Sequence, residues 1–169
     1  MPRYPLKLAL AITLLAGFVL SADSGHGAGR DKGVLIGSWI LASDVNIQAD
    51  GGRTAGFAPS DGFLTFDSTG HFSQQLLRAD LPKFASNDRS AGTPEEDRAV
   101  MKGSLSFFGT YSVDETGQLV TLHIERCSFP NWTGTSQIRR VALLSATELK
   151  WEAPGASGGR GELAWRRVR

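Results

Sequence analysis

Residues 104–126 read SLSFFGTYSVDETGQLVTLHIER. Leu105, Phe107, Gly109, Tyr111 and Val113 occupy alternate positions. That is the period of a strand, whose successive side chains point to opposite faces. Asp114-Glu115-Thr116-Gly117 then places Asp first and Gly fourth, as a type I turn requires. A second alternating run, Leu119 to Arg126, returns from that turn. The stretch therefore predicts an antiparallel hairpin.

The same pattern extends in both directions. Upstream, Phe63–Phe66 and His71–Leu77 flank Asp67-Ser68-Thr69-Gly70, another Asp-to-Gly turn, and a first strand spans Gly37–Val45. Downstream, Pro130-Asn131 bends the chain into a strand over Thr135–Leu144. Ser145-Ala146 leads to Thr147–Trp151, and a Pro154–Gly161 loop leads to a closing strand, Glu162–Val168. Asn46–Ser60 and Ala79–Ala91 are polar and read as loops. One short helix is expected: Thr93 caps it, Pro94 occupies its first position, Glu96 completes a capping box, and it ends by Gly103. Glu95, Glu96 and Asp97 suit the positive end of its dipole and read as cap chemistry rather than a metal site. The sum is an all-β domain of eight antiparallel strands. Eight strands close into a barrel that holds one small ligand, and closure removes exposed edges. Alternation by itself fits a two-sheet sandwich as well.

The 169 residues suit one domain. Lys plus Arg total 18 and Asp plus Glu 17, a near balance that argues against nucleic acid as a partner. The basic pairs Arg139-Arg140 and Arg166-Arg167 sit in strands, so each pair splits between two faces. Cys127 is the only cysteine, which excludes an internal disulfide and reads as a small apolar residue. Asn131-Trp132-Thr133 matches a glycosylation acceptor but reads better as a loop at the barrel rim.

Arg3 and Lys7 precede an uncharged run, Leu8–Leu20, of 13 residues. This is the pattern of a secretory signal peptide, here residues 1–21, and the run is short for a membrane span. Its removal takes two basic residues from the formal charge of +1 and leaves −1. Residues 22–33 are rich in Gly, Ser and Ala and read as a flexible leader to a domain over 34–169. The mature chain is expected to be secreted or periplasmic, with no membrane span.

Gly37-Ser38-Trp39 opens the first strand and resembles the G-x-W signature of lipocalins. Residues 108–114 (FGTYSVD), 120–125, 130–140 (PNWTGTSQIRR) and 163–168 (LAWRRV) are similar, in order, to segments of the lipocalin-like domain family of bacteria and fungi. The likeness spans about residues 35–168 and implies a calycin-type barrel. It implies no particular activity, because one fold hosts many tasks. Family members often carry a second His beside the one matching His123, where this chain has Leu122. The resemblance further implies that Trp39 packs at the closed end beneath an arginine of the last strand, either Arg166 or Arg167, with Gly37 beside it.

In Leu119–Arg126, Thr121, His123 and Glu125 share one face and Val120, Leu122 and Ile124 the other. A half-buried strand turns its apolar face inward. A barrel with a polar interior turns His123 and Glu125 inward instead. Polar residues amid apolar strands point to the second arrangement, and a cavity walled by Tyr111, His123, Glu125, Arg139 and Trp165 is expected. Its occupant is a small, moderately apolar molecule with an anionic or carbonyl group near Arg139. An isomerase or hydrolase-like enzyme, with His123 or Glu125 as general base, is the alternative. A structural or protein-interaction module is a third. No cofactor or metal is implied, for neither a G-x-S-x-G elbow nor an H-E-x-x-H pair is present.

Overall fold

The computed structural model describes residues 32–56, 60–155 and 159–169. The expected signal segment, and the leader as far as residue 31, lie outside these. Among the described residues nine strands form one sheet: β1 (Gly37–Ile47), β2 (Arg53–Ala55), β3 (Ser60–Phe66), β4 (His71–Arg78), β5 (Ser104–Val113), β6 (Leu119–Cys127), β7 (Ser136–Leu144), β8 (Glu148–Pro154) and β9 (Arg160–Arg167). Every pairing is antiparallel, and β1 pairs with β9 from Trp39↔Arg167 to Ile47↔Arg160. That pairing closes β1 and β3–β9 into an eight-stranded barrel and removes the sandwich alternative. The ninth strand, β2, lies within the segment read as loop. Its three exposed residues pair only with Val45–Ile47 of β1, outside the closed ring. No helix among the described residues is long and apolar enough to cross a membrane.

The hairpins follow from local chemistry. Asp67 Oδ1 accepts hydrogen bonds from the backbone N–H of Thr69 and of His71, each at 2.9 Å. Asp114 repeats the device on the Leu119 N–H at 2.8 Å and the Thr116 hydroxyl. A hydrogen bond from the His71 backbone N–H holds Asp67 below its ordinary value of 3.8, and a side-chain hydrogen bond from the Thr116 hydroxyl does so for Asp114. The helix α1 (Pro94–Gly103) carries the expected capping box, and Glu96 also accepts from the Ala85 N–H at 2.9 Å, which ties the preceding loop to the helix. The Thr93 N–H holds Glu96 below its ordinary value of 4.5 as well. Carboxylates depressed by folding bind fewer protons in the native than in the unfolded state. Their contribution is complete above the ordinary values and is lost as pH falls through the lowered ones. Thermal melts between about pH 5 and pH 2 are expected to show falling stability, with a shallower fall in a protein carrying both Asp67→Asn and Asp114→Asn.

The two ends of the barrel differ. At one end, Trp39 and Leu35 are fully buried, and the Trp39 indole N–H donates to the Leu35 carbonyl at 3.0 Å. Residues 32–35 form a helical turn that lies over this end. The Arg167 guanidinium lies 4.1 Å from the Trp39 ring centroid and donates to the carbonyls of Ala146, Ile36 and Val34. Arg167 is thus the arginine above Trp39, while Arg166 is exposed on the outer face. Gly37 has φ +134°, and a Cβ there would collide with the Arg167 guanidinium. The signature glycine is required twice, by its backbone angle and by the cation beside it. Gly37→Ala is expected to cost about 1–3 kcal/mol in denaturant titration.

Candidate functional site

The opposite end is open. Asn46 and Ile47 of β1, Arg78 of β4, Met101 and Lys102 of α1, Leu105 of β5 and Phe129 rim a mouth of ≈ 830 Å³. Below it, between β1, β4, β5, β7, β8 and β9, lies an inner cavity of ≈ 60 Å³. Asn46, Leu105 and Gly155 border both spaces, so the inner cavity lies directly beneath the mouth.

Strand period decides what faces that cavity. Gln74 and Leu76 alternate along β4, Leu105 and Phe107 along β5, and Gly161 and Leu163 along β9, and all of them line it. Trp132 joins them from a 3-10 turn, Pro130–Trp132. Phe72, Phe107, Trp132 and Phe129 form a file of edge-to-face rings, with successive centroids 5.8, 5.8 and 5.9 Å apart, leading from the core to the mouth. Such pairs prefer this tilted geometry.

Two polar side chains are almost wholly buried in the wall: Gln74, 3% exposed, and Arg139, 2% exposed. Arg139 donates from Nη2 to Gln137 Oε1 at 2.8 Å, while its Nη1 has no hydrogen-bond partner in the protein. Among the described residues it makes no ion pair. Burial lowers its guanidinium to about 10, and although Asp44 borders the same cavity no ion pair joins the two. It remains a cation at neutral pH. The Oε1 of Gln74 likewise has no partner. Buried polar groups are normally paired, and a lone buried cation is costly. The indole N–H groups of Trp151 and Trp165 also lack partners, but they do not line the inner cavity, whereas Arg139 and Gln74 do.

The structure separates the five residues expected around one cavity. Arg139 lines it. Tyr111 and Trp165 are buried in the barrel interior but farther toward the closed end. The Tyr111 hydroxyl donates to the Asp67 carbonyl at 3.0 Å, and Trp165 packs edge-on against Trp151 at 6.2 Å. Burial, with the Asp67 charge, raises the Tyr111 phenol above its ordinary value. His123 and Glu125 are corrected to the outer face, where both are exposed. Register gives the reason. Leu122 pairs with Tyr111 and with Gln137, and Val120 pairs with Arg139, so the apolar face of β6 turns inward with them. His123 is held between the hydroxyls of Ser112, at 3.2 Å, and Ser136, at 2.9 Å. Glu125 is the extra residue of a bulge, skipped where pairing passes from Phe108↔Arg126 to Gly109↔Ile124. Gly109 permits the bulge, since a Cβ there would strike the His123 carbonyl. A general base at His123 or Glu125 and an anion clamp at Arg139 therefore stand on opposite faces of the sheet and cannot act on one substrate.

Gln74, Phe107 and Phe129 are among the site residues that sequence reasoning missed. For Gln74 the signal was present: it stands between Phe72 and Leu76 on the apolar positions of an alternating strand.

Comparison with known proteins finds the following similarities. A model of the lipocalin-like domain matches residues 36–168. The 4'-hydroxy-3'-methoxypropiophenone carrier protein ppsC of Aspergillus oryzae is 29% identical over 106 residues, covering 57% of this chain and 96% of that protein. Among solved structures, a redesigned beta barrel aligns at TM-score 0.44 with 15% identity, covering 83% of this chain and 96% of its own. A de novo designed fluorescence-activating beta barrel aligns at 0.42 with 10% identity, covering 81% and 96%.

Proposed function

The chain belongs to the lipocalin-like domain family, and from that premise we propose that it is an exported carrier of a small aromatic molecule, held with an oxygen against Arg139. The observation that carries this reading is the buried guanidinium, which keeps its charge, has no carboxylate partner and leaves Nη1 unpaired beside a cavity open to the mouth.

The volumes describe how such a molecule sits. A water occupies about 30 Å³ of liquid, so the ≈ 60 Å³ inner cavity accepts a head group and not a whole ligand. The ≈ 830 Å³ mouth lies within the range of small-molecule sites. An elongated molecule therefore places its polar head at Arg139 and its apolar body along Phe107, Trp132 and Phe129. The fungal relative is named as a carrier of a phenolic aryl ketone, which agrees in size and in having oxygen atoms at its ends. Export rests on Arg3, Lys7 and the apolar run after them, and N-terminal sequencing of the mature protein tests it.

Titration with a panel of phenols and aryl ketones, read by the side-chain N–H signals of Arg139 and the tryptophan indoles, tests the carrier reading. Shifts at Arg139 and Trp132, with His123 unmoved, are the expected result. Shifts confined to the outer face around His123, or none anywhere, would remove it.

A further inference from the structure

Arg139 is not the only unpaired group at the inner cavity. Gln74 Oε1 is a hydrogen-bond acceptor without a protein partner, in a side chain 3% exposed, and it lines the same ≈ 60 Å³ space as Arg139. One wall thus offers a donor, Arg139 Nη1, and another offers an acceptor, Gln74 Oε1. A carboxylate complements only the first, because both its oxygens accept and one would face the Gln74 carbonyl. An ether or ketone oxygen also accepts without donating. A hydroxyl does both from a single atom, and a single oxygen suits so small a space.

Resting on the carrier reading above, we infer that the head group recognised in the barrel is a protonated hydroxyl, in a phenol or alcohol, that accepts from Arg139 Nη1 while donating to Gln74 Oε1. Gln74 is then the residue that sets specificity. It rejects the O-methylated form, which cannot donate, and the carboxylate form, which has no proton to give. Arg139 alone does not separate the ether from the phenol, since both present a neutral acceptor, and its charge favours the carboxylate over either, so discrimination against both falls to Gln74.

The test compares three probes of similar size, 4-propylphenol, 4-propylanisole and 4-propylbenzoate, by calorimetry on the unaltered protein and on Gln74→Met. On the unaltered protein the phenol is expected to bind at least about tenfold more tightly than either of the others, the effect of one buried group left unpaired. In Gln74→Met the phenol-to-anisole ratio is expected to shrink to less than about threefold, with anisole affinity retained. Met is close in length to Gln and removes a buried unpaired amide, and the arm on unaltered protein needs no variant at all. Equal binding of phenol and anisole overturns the inference, as does tighter binding of benzoate, the result expected if the Gln74 amide presents its N–H2 instead. A phenol-to-anisole ratio unchanged in Gln74→Met also overturns it. In each of those cases the probes still move the Arg139 signal and the carrier reading stands. If none of the three moves it, the carrier reading falls too.

Discussion

An Arg139→Met protein is expected to melt about 3–10 °C higher than the unaltered protein and to bind phenolic ligands at least about tenfold more weakly. The two effects share one cause. Folding takes the guanidinium out of water and returns a single hydrogen bond, donated to Gln137 Oε1, with no ion pair. Replacing a poorly compensated buried charge by an apolar side chain of similar length is often stabilising, by about 1–3 kcal/mol. The same change deletes the only cation in the inner cavity wall among the described residues. A calorimetric melt and a binding titration on one sample check both halves. A lower melting temperature would mean that Arg139 serves the fold, and the case for a ligand oxygen at Nη1 would fail with it.

Trp39→Ala is expected to cost about 3–5 kcal/mol, a large part of the stability of a domain this size. Trp39 is fully buried, anchors the turn over residues 32–35 through Leu35, and supports the Arg167 guanidinium on its ring face. Truncation leaves a cavity at the closed end and strands the arginine that binds three carbonyls there. Trp39→Phe keeps an aromatic face and loses the indole N–H, so it should cost well under half as much. Urea denaturation of the two variants separates packing from hydrogen bonding. Equal losses would place the stabilisation in the N–H bond to Leu35.

The barrel was legible in the sequence because its strands carry a period-two pattern and its hairpins carry Asp and Gly at fixed turn positions. Both are local signals. The capped helix was legible for the same reason, with Thr93, Pro94 and Glu96 within four residues. The site was legible only in part, because it depends on which face of each strand turns inward. Arg139 was found as a polar residue in an apolar strand. His123 and Glu125 have the same local appearance, yet the apolar face of β6 wins, since burying Val120, Leu122 and Ile124 releases more free energy than burying a carboxylate with no partner. Alternation fixes which residues share a face within one strand, while register against β5 and β7 fixes which face is interior, and register is not written locally. The choice between Arg166 and Arg167 has the same origin, since neighbouring residues in a strand differ only in side.

The β1–β9 seam has a consequence for how the molecule forms. Every other barrel pairing except β1–β3 joins strands adjacent in the chain, but Trp39↔Arg167 joins residues 128 positions apart. Such a contact carries the largest loop-closure entropy in the domain and forms late, which makes for slow assembly on the millisecond-to-second scale of β proteins. Closing it sets the Arg167 guanidinium over the Trp39 ring. A sheet lacking this seam would present two raw edges, from which aggregation would start.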